Sequence, residues 1–199
     1  MVSTTLIDTV RHYHVALQQT LDRLPLDTVA RIADEILVTY DQGSDIFVFG
    51  NGGSAATASH MACDLSKNTA TAGQPFLRIR SLTDNMALLS ALANDIGYEV
   101  VFAQQLLQAP VRSDDLVIAI SGSGNSPNVL AGVTAATAAN ARTIGITGCG
   151  GGRLKLLVDI ALVIPSDCME IVEDAHLIVN HAVTTAVRDA LRGRAAVAA

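Results

Sequence analysis

The feature that most constrains the fold of this chain is an alternation that begins at residue 46. Short β-branched and apolar runs are each followed by a loop of small residues and an amphipathic stretch that predicts a helix. The runs are Ile46–Phe49, Phe76–Ile79, Leu116–Ile120, Thr143–Thr147 and Ile160–Ile164, and the helices fall at about 54–67, 84–107, 127–140, 151–157 and 169–191. Strands that alternate with helices, and that are apolar throughout, indicate a parallel sheet covered on both faces. The sequence therefore predicts an α/β fold, a three-layer, doubly wound arrangement with five parallel strands.

Residues 1–42 precede this alternation and have a different character. Apolar residues recur at helical spacing up to Pro25 and again from Val29 to Leu37, which predicts two N-terminal helices. We expect residues 43–192 to form the α/β core and the Ala-rich residues 193–199 to form a frayed tail. Because no linker, repeat or low-complexity segment separates these parts, a single domain over residues 1–199 is predicted.

Composition excludes several classes of function. Half of the residues are hydrophobic and only 16% are charged, so the chain has ample apolar surface to bury and disorder is excluded. A formal net charge of −6 argues against nucleic acid as a partner. We find no apolar stretch of bilayer length and no signal-peptide pattern, and therefore expect no membrane association. Three widely spaced cysteines fit reduced thiols and a cytoplasmic location.

Three loops that follow predicted strands are rich in glycine and serine. They are Gly50–Ser54, Ser121–Ser126 and Gly148–Gly152. Ligands of an open parallel sheet bind beyond the carboxyl ends of its strands, where glycine backbone, serine hydroxyls and helix N-termini supply neutral donors. The first two loops each open a helix, and for Ser121–Ser126 we favour phosphate binding. For Gly148–Gly152 a tight turn and a ligand-binding loop are equally good interpretations.

The first loop also allows a dinucleotide interpretation. Gly50, Gly52 and Ala55 satisfy the G-x-G-x-x-G/A pattern, which by itself is a weak indication. An acidic residue is expected after the next strand, and Arg80 and Ser81 stand there instead. Although an arginine suits a 2′-phosphate, the missing acid makes a dinucleotide the lesser alternative. No nucleotide cofactor is predicted.

Histidines and carboxylates form the candidate chemical centre. His60 and Asp64 are four residues apart on the helix that leaves the first loop, and therefore share one face. Glu173 and His181 are eight apart on the last helix, which again places them roughly on one face. Two histidines with two carboxylates suit either a general acid–base pair or a metal site such as zinc, and spacing alone leaves both open.

A wider set of residues resembles a known family. Phe49–Ala56 with His60, Asn94–Asp95, and Ser121–Ser126 followed by Pro127–Val129 resemble the sugar isomerase (SIS) fold, over nearly the whole chain. More narrowly, the chain looks like the bacterial phosphoheptose isomerases, which convert sedoheptulose 7-phosphate to D-glycero-D-manno-heptose 7-phosphate. The resemblance implies a phosphosugar substrate, a five-stranded parallel sheet, and a homotetramer whose active sites are shared between subunits.

The resemblance also implies roles for individual residues. Asp64 and His181 would be catalytic, and zinc, the cofactor of some members, would be held by His60, Asp64, Glu173 and His181. The substrate-binding positions, of which the serines of the second loop would hold the phosphate, are Asn51, Gly52, Gly53, Ser54, Asp95, Ser121, Gly122, Ser123, Ser126 and Glu173.

Several positions depart from the family pattern. Asp64 replaces a glutamate, Glu173 replaces a glutamine, and Gly122 stands where a hydroxyl residue is common. Lys67 and Asn68 replace a Gly-Arg pair. The two acid changes keep an isomerase of another phosphosugar as an alternative. A second alternative is a non-catalytic SIS protein that binds a replication initiator or another protein, although such a module has no use for the retained histidines and acid.

Overall fold

The computed structural model describes residues 4–109 and 111–198. Its helices are α1 (Thr4–Leu21), α2 (Leu26–Asp41), α3 (Gly53–Lys67), α4 (Met86–Asp95), α5 (Val101–Gln108), α6 (Pro127–Ala138) and α7 (Met169–Ala198). Its strands are β1 (Ile46–Gly50), β2 (Ile79–Ser81), β3 (Leu116–Ser121), β4 (Arg142–Thr147) and β5 (Ile160–Val163). Short 3₁₀ turns lie at Tyr98–Val100, Cys149–Gly151 and Leu154–Leu156.

The strands form one parallel sheet in the order β2-β1-β3-β4-β5. The chain moves outward from β1 to β2, crosses back to β3, and then continues in the opposite direction. The winding therefore reverses between β1 and β3, and in open sheets of this kind ligands bind at the carboxyl ends of the strands beside that reversal. The predicted doubly wound, five-stranded α/β fold is confirmed.

Each face of the sheet carries its own apolar core. Alternate residues of β3 divide between the two, because successive side chains of a strand point to opposite faces: Ile118 packs with α2, α3 and α7, and Val117 packs with α4, α5 and α6. Strands buried on both faces have no polar alternation, which explains the continuous apolar runs in the sequence. α1 packs on α7, to which the Tyr13 hydroxyl is tied by a 2.6 Å hydrogen bond to Asp174.

The second strand and the helix after it differ from the prediction. β2 spans Ile79–Ser81 rather than Phe76–Ile79, and Phe76 is 73% exposed. Because β2 is an edge strand, its position follows from pairing with Ile46–Val48 and not from its own apolar residues. The single helix predicted over 84–107 is divided into α4 and α5 at Gly97, whose φ of +135° is closed to most other residues.

Two expectations for the second half of the chain are wrong. Residues 151–157 form short 3₁₀ turns instead of an α-helix. The tail expected to fray after Gly193 is helical as far as Ala198, with residue 199 outside the described residues. Arg194 contributes to this order because its guanidinium donates to both carboxylate oxygens of Asp41 on α2, at 2.8 and 3.1 Å. In the described part of the chain, no helix has the length and hydropathy needed to cross a bilayer.

Candidate active site

A cavity of about 290 Å³ lies at the carboxyl ends of β1 and β3, where the winding of the sheet reverses. The N-termini of α3 and α6 border it, and their free backbone N–H groups favour an anion. None of its lining residues is basic, so the donors it offers are backbone amides and hydroxyls. The lining residues are Asn51, Gly52, Gly53, Ser54, Ser121, Gly122, Ser123, Ser126, Met169 and Glu173.

The serine loop is held in shape from behind by the third glycine-rich loop. Gly148 donates from its backbone to Gly122 at 3.0 Å, and Leu154 donates to Gly124 at 2.9 Å. Gly124 has a φ of +63°, and a Cβ atom added to it would overlap the carbonyl oxygen of Gly151. Gly148–Gly152 is therefore a support for the serine loop, and no residue of it lines the cavity.

A pair of asparagines joins the first loop to α6. Asn51 and Asn128 exchange two side-chain hydrogen bonds, at 2.8 and 2.9 Å, and the hydroxyl of Tyr98 donates to Asn51 at 2.8 Å. Asn128 and Tyr98 were not singled out by the sequence analysis. Both contact Asn51, which lies 77 positions from Asn128 and 47 positions from Tyr98 along the chain. Of the two, only Asn128 lies in a segment, Pro127–Val129, that the sequence analysis named.

Three of the four candidate metal ligands converge beside the cavity. Nε2 of His60 lies 3.3 Å from Oδ2 of Asp64, Nε2 of His181 lies 3.6 Å from the same oxygen, and the two Nε2 atoms are 3.5 Å apart. α3 supplies His60 and Asp64, α7 supplies His181, and the two helices pack together. The side chain of Asp64 is 13% exposed, whereas those of the histidines are 43% and 54% exposed. The cluster therefore has a shielded carboxylate and an open imidazole side.

The spacing of these atoms fits a zinc ion. Ligand atoms at roughly 2.0–2.1 Å from a tetrahedral Zn²⁺ lie about 3.3 Å from one another. The three separations of 3.3, 3.5 and 3.6 Å are close to that value. Catalytic zinc sites also use this kind of donor set, in which two imidazoles and one carboxylate leave a fourth position for water or substrate.

Glu173 and Asp95 do not join this cluster. Glu173 lines the cavity, with its carboxylate against Gly53 at the start of α3, and it is absent from the group of ligand atoms that lie within 4.8 Å of one another. Asp95 is exposed at the end of α4, where Asn94 donates to it at 2.8 Å, and it does not line the cavity.

Gly122, where the family commonly has a hydroxyl residue, lies against Met169. A Cβ atom at position 122 would overlap the sulfur of Met169. The thioether therefore occupies the space that a side chain at this position would need, and the cavity wall is apolar there. Met169 was not predicted as a lining residue, since a methionine at the start of an apolar helix has no local indication of such a place.

Five residues before His181, α7 carries a buried histidine. His176 is 1% exposed, and neither of its ring nitrogens has a hydrogen-bond partner in the described part of the chain. Burial lowers the pKa of His176 to about 4, and the nearby backbone of Thr147 offsets this only in part. His176 is therefore neutral near pH 7.

The reversal of winding between β1 and β3, with a serine-lined cavity at the carboxyl ends of these strands, is the arrangement of a ligand-binding α/β protein. A family model described as SIS domain matches residues 12–148. The phosphoheptose isomerase of Trichlorobacter lovleyi is 35% identical over 180 residues, which are 90% of this chain and 91% of that protein. The phosphoheptose isomerase of Burkholderia pseudomallei is 36% identical over 173 residues, 87% of each chain.

The solved structures agree with these relatives. The structure of phosphoheptose isomerase GmhA from Neisseria gonorrhoeae superimposes with a TM-score of 0.84 at 27% identity, over 94% of this chain and 100% of that one. The chain belongs to the SIS domain family and, within it, to the phosphoheptose isomerases. It is thus an enzyme of the phosphosugar isomerase type.

Proposed function

We propose that the protein converts sedoheptulose 7-phosphate to D-glycero-D-manno-heptose 7-phosphate, an aldose–ketose isomerisation through an enediol. The observation that carries the proposal is that the His60, Asp64 and His181 cluster lies along α3 from a serine-lined anion cavity. From Gly53 to His60 the helix advances by about 10 Å, at roughly 1.5 Å per residue. That distance suits a sugar whose phosphate is held at one end while its carbonyl carbons react at the other.

The phosphate would be held by hydroxyls and backbone donors. Ser121, Ser123 and Ser126 supply the hydroxyls, and Gly52 and Gly53 bring backbone N–H groups at the start of α3. Asn51 and Ser54 line the same cavity and are the residues that we assign to the sugar hydroxyls. Fixing the phosphate limits the positions of the reacting carbons, which is where proximity contributes to rate.

Proton transfer is assigned to Asp64 and His181. Asp64 takes the proton from the carbon next to the carbonyl and returns it to the neighbouring carbon after the enediol forms. His181, on the open side of the cluster, moves the proton between the two oxygens of the enediol. The position of Asp64 in the inner part of the cluster keeps its carboxylate away from bulk water.

Zinc is the alternative use of the same cluster, because an ion held by His60, Asp64 and His181 would occupy the atoms that otherwise move protons. When bound, the ion would polarise the carbonyl oxygen of the substrate. Glu173 is not assigned as a ligand, because its carboxylate lies in the cavity against Gly53.

The test is turnover of sedoheptulose 7-phosphate by purified protein. Asp64→Asn and His181→Ala should each lower kcat by about 10²- to 10⁴-fold, the range for losing a general acid or base. Asp27→Asn, the same substitution in the first turn of α2, is the matched control and should keep full turnover. Elemental analysis and loss of turnover with a chelator, restored by zinc alone, test the metal. Full activity in both cluster variants would contradict the assignment.

The carboxylate of Glu173 favours a second candidate, an isomerase of a different phosphosugar. A negative charge inside the cavity changes which hydroxyls and anions the cavity accepts. Assaying five-, six- and seven-carbon ketose and aldose phosphates in parallel distinguishes the candidates. A kcat/KM higher for a shorter sugar would replace the heptose phosphate as substrate.

We also propose a homotetramer in the cytoplasm. The support for association is the apolar surface of α1, where Leu6 and Val10 are 61% and 70% exposed in the single chain. Apolar surface of this kind on a helix whose main packing partner among the described residues is α7 is typical of an interface between copies. The support for location is that Cys63, Cys149 and Cys168 are all free thiols.

A further inference from the structure

Asn180 contacts the carboxylate that the proposed mechanism uses. It lies on α7 beside His181 and is completely buried, and its side-chain Nδ2 donates to Oδ2 of Asp64 at 3.2 Å. The other carboxylate oxygen, Oδ1, accepts from Nδ2 of Asn68 at 3.1 Å. Each oxygen of Asp64 therefore has its own amide donor, one from Asn68 directly after α3 and one from Asn180 on α7.

The orientation of the Asn180 amide follows from this contact. A rotation by half a turn would exchange its nitrogen and oxygen and place two acceptor oxygens against each other. Only the orientation with Nδ2 towards Asp64 forms a hydrogen bond. The amide oxygen then points away, and it has no partner among the residues that the structure describes.

The hydrogen bond to Asp64 distinguishes Asn180 from the other buried polar residues of this stripe of α7. One turn on either side of Asn180, the ring of His176 and the hydroxyl of Thr184 are also buried without partners in the described part of the chain. An apolar residue of similar shape would leave no orphaned acceptor at position 180, but it would take one donor away from Oδ2 of Asp64. What an apolar residue cannot supply is the hydrogen bond to Asp64.

The geometry points to Asn180 as a positioning residue, which with Asn68 fixes the plane of the Asp64 carboxylate so that Oδ2 faces His60 and His181. The inference rests on the proposed role of Asp64. A carboxylate oxygen has two lone-pair directions, and the Asn180 amide occupies one of those on Oδ2. The direction that remains faces the two imidazoles, 3.3 and 3.6 Å away, where a substrate proton or a metal ion would be.

The experiment compares Asn180→Leu with Thr184→Val, which removes an orphaned polar group from the same buried stripe without touching Asp64. Asn180→Leu should lower kcat by about 10- to 100-fold, the range for removing a group that orients a reactive side chain. KM should change little, because the phosphate cavity is untouched. Both variants should remain folded, and Thr184→Val should keep wild-type kcat.

Two further measurements do not depend on turnover. A crystal structure of Asn180→Leu should show the Asp64 carboxylate rotated away from the histidines, and competition with a chelator should show zinc bound about 10- to 100-fold more weakly. Wild-type kcat in Asn180→Leu, or an unmoved Asp64, would overturn the inference. If wild-type protein does not turn over the heptose phosphate, the proposed function fails while the Asp64 geometry still decides the role of Asn180. Asn180→Ala provides the same comparison if the leucine variant does not fold.

Discussion

At the scale of single residues, His176 couples the stability of the fold to pH. Its pKa is about 4 in the folded chain because the ring is buried, and about 6.5 in an unfolded chain. Between these values the unfolded chain binds the proton and the folded chain does not. The contribution of neutral His176 to the free energy of unfolding is therefore fully present above about pH 6.5 and is lost as the pH falls from 6.5 towards 4.

This coupling predicts a pH-dependent difference between wild-type protein and His176→Leu. At pH 7 the two should have similar free energies of unfolding, since both carry a neutral side chain there. Between pH 7 and pH 5 the free energy of unfolding should fall by about 2 kcal/mol more in the wild type than in the variant, because the pKa of His176 is about 4 in the folded chain and about 6.5 in the unfolded chain. Urea unfolding at both pH values measures the difference. An equal gap at pH 7 and pH 5 would show that His176 is not the group responsible.

At the scale of elements, the serine-lined cavity depends on contact between two loops. The serine loop after β3 and the glycine loop after β4 approach so closely that Gly124 and Gly151 are in backbone contact. The serine hydroxyls are therefore placed by a neighbouring loop as well as by their own strand. The sequence indicated that both loops were special, but it did not indicate that one supports the other.

The close approach predicts a large effect for Gly124→Ala. Gly124 and Gly150 have similar positive φ values, +63° and +73°, but a Cβ atom at Gly150 meets nothing within 4 Å. Gly150→Ala should therefore cost only the strain of a left-handed alanine, about 1–2 kcal/mol. Gly124→Ala should cost about 1–3 kcal/mol more from overpacking and should also raise KM. Denaturant unfolding and steady-state kinetics of the pair test this, and equal stability losses would refute the loop contact.

The sequence predicts elements best where local residues determine them. β1 and β3 are buried on both faces, so their apolar runs match their bounds closely. β2 is misplaced because an edge strand of three residues is positioned by its neighbour. The division at Gly97 was missed although a glycine shortly after Asn94 and Asp95 is a sequence signal for the end of a helix.

In the site, too, features set by local residues were predicted and features set by contacts between distant residues were not. The cavity residues follow strands directly, so their places could be inferred from topology. Asn180 contacts a residue 116 positions away, and a single asparagine on an apolar helix carries no local sign of that contact. Glu173 shares a helix face with His181, yet its side chain reaches into the cavity instead of the cluster.

At the scale of the whole molecule, exposed large apolar side chains occur on several elements, and α1 carries four of them among the described residues. Leu6 and Val10 on α1 belong to a helix with one buried residue, Thr20. Leu107 on α5, which packs on the opposite face of the sheet, is similarly exposed at 69%. These two surfaces allow a matched test of the proposed assembly.

We expect Leu6→Glu with Val10→Glu to reduce the molar mass in solution to that of a smaller assembly. Charged groups lose hydration when an interface buries them, so the association becomes unfavourable. Leu107→Glu, an equivalent change on α5, should leave the mass unchanged. Light scattering after size exclusion gives the masses, and circular dichroism checks that the helices remain. A wild-type mass for the α1 double variant would exclude α1 from the interface.

The cluster beside the cavity is assembled from both halves of the chain, and this has a consequence for how the protein acquires activity. His60 and Asp64 are in place on α3 early in the sequence, whereas His181 comes from α7, the last element. Until α7 docks during synthesis or refolding, the chain therefore lacks His181 of the proposed proton-transfer pair as well as the apolar face of α7 that covers the sheet. The rate at which turnover recovers on refolding therefore reports the rate at which α7 docks.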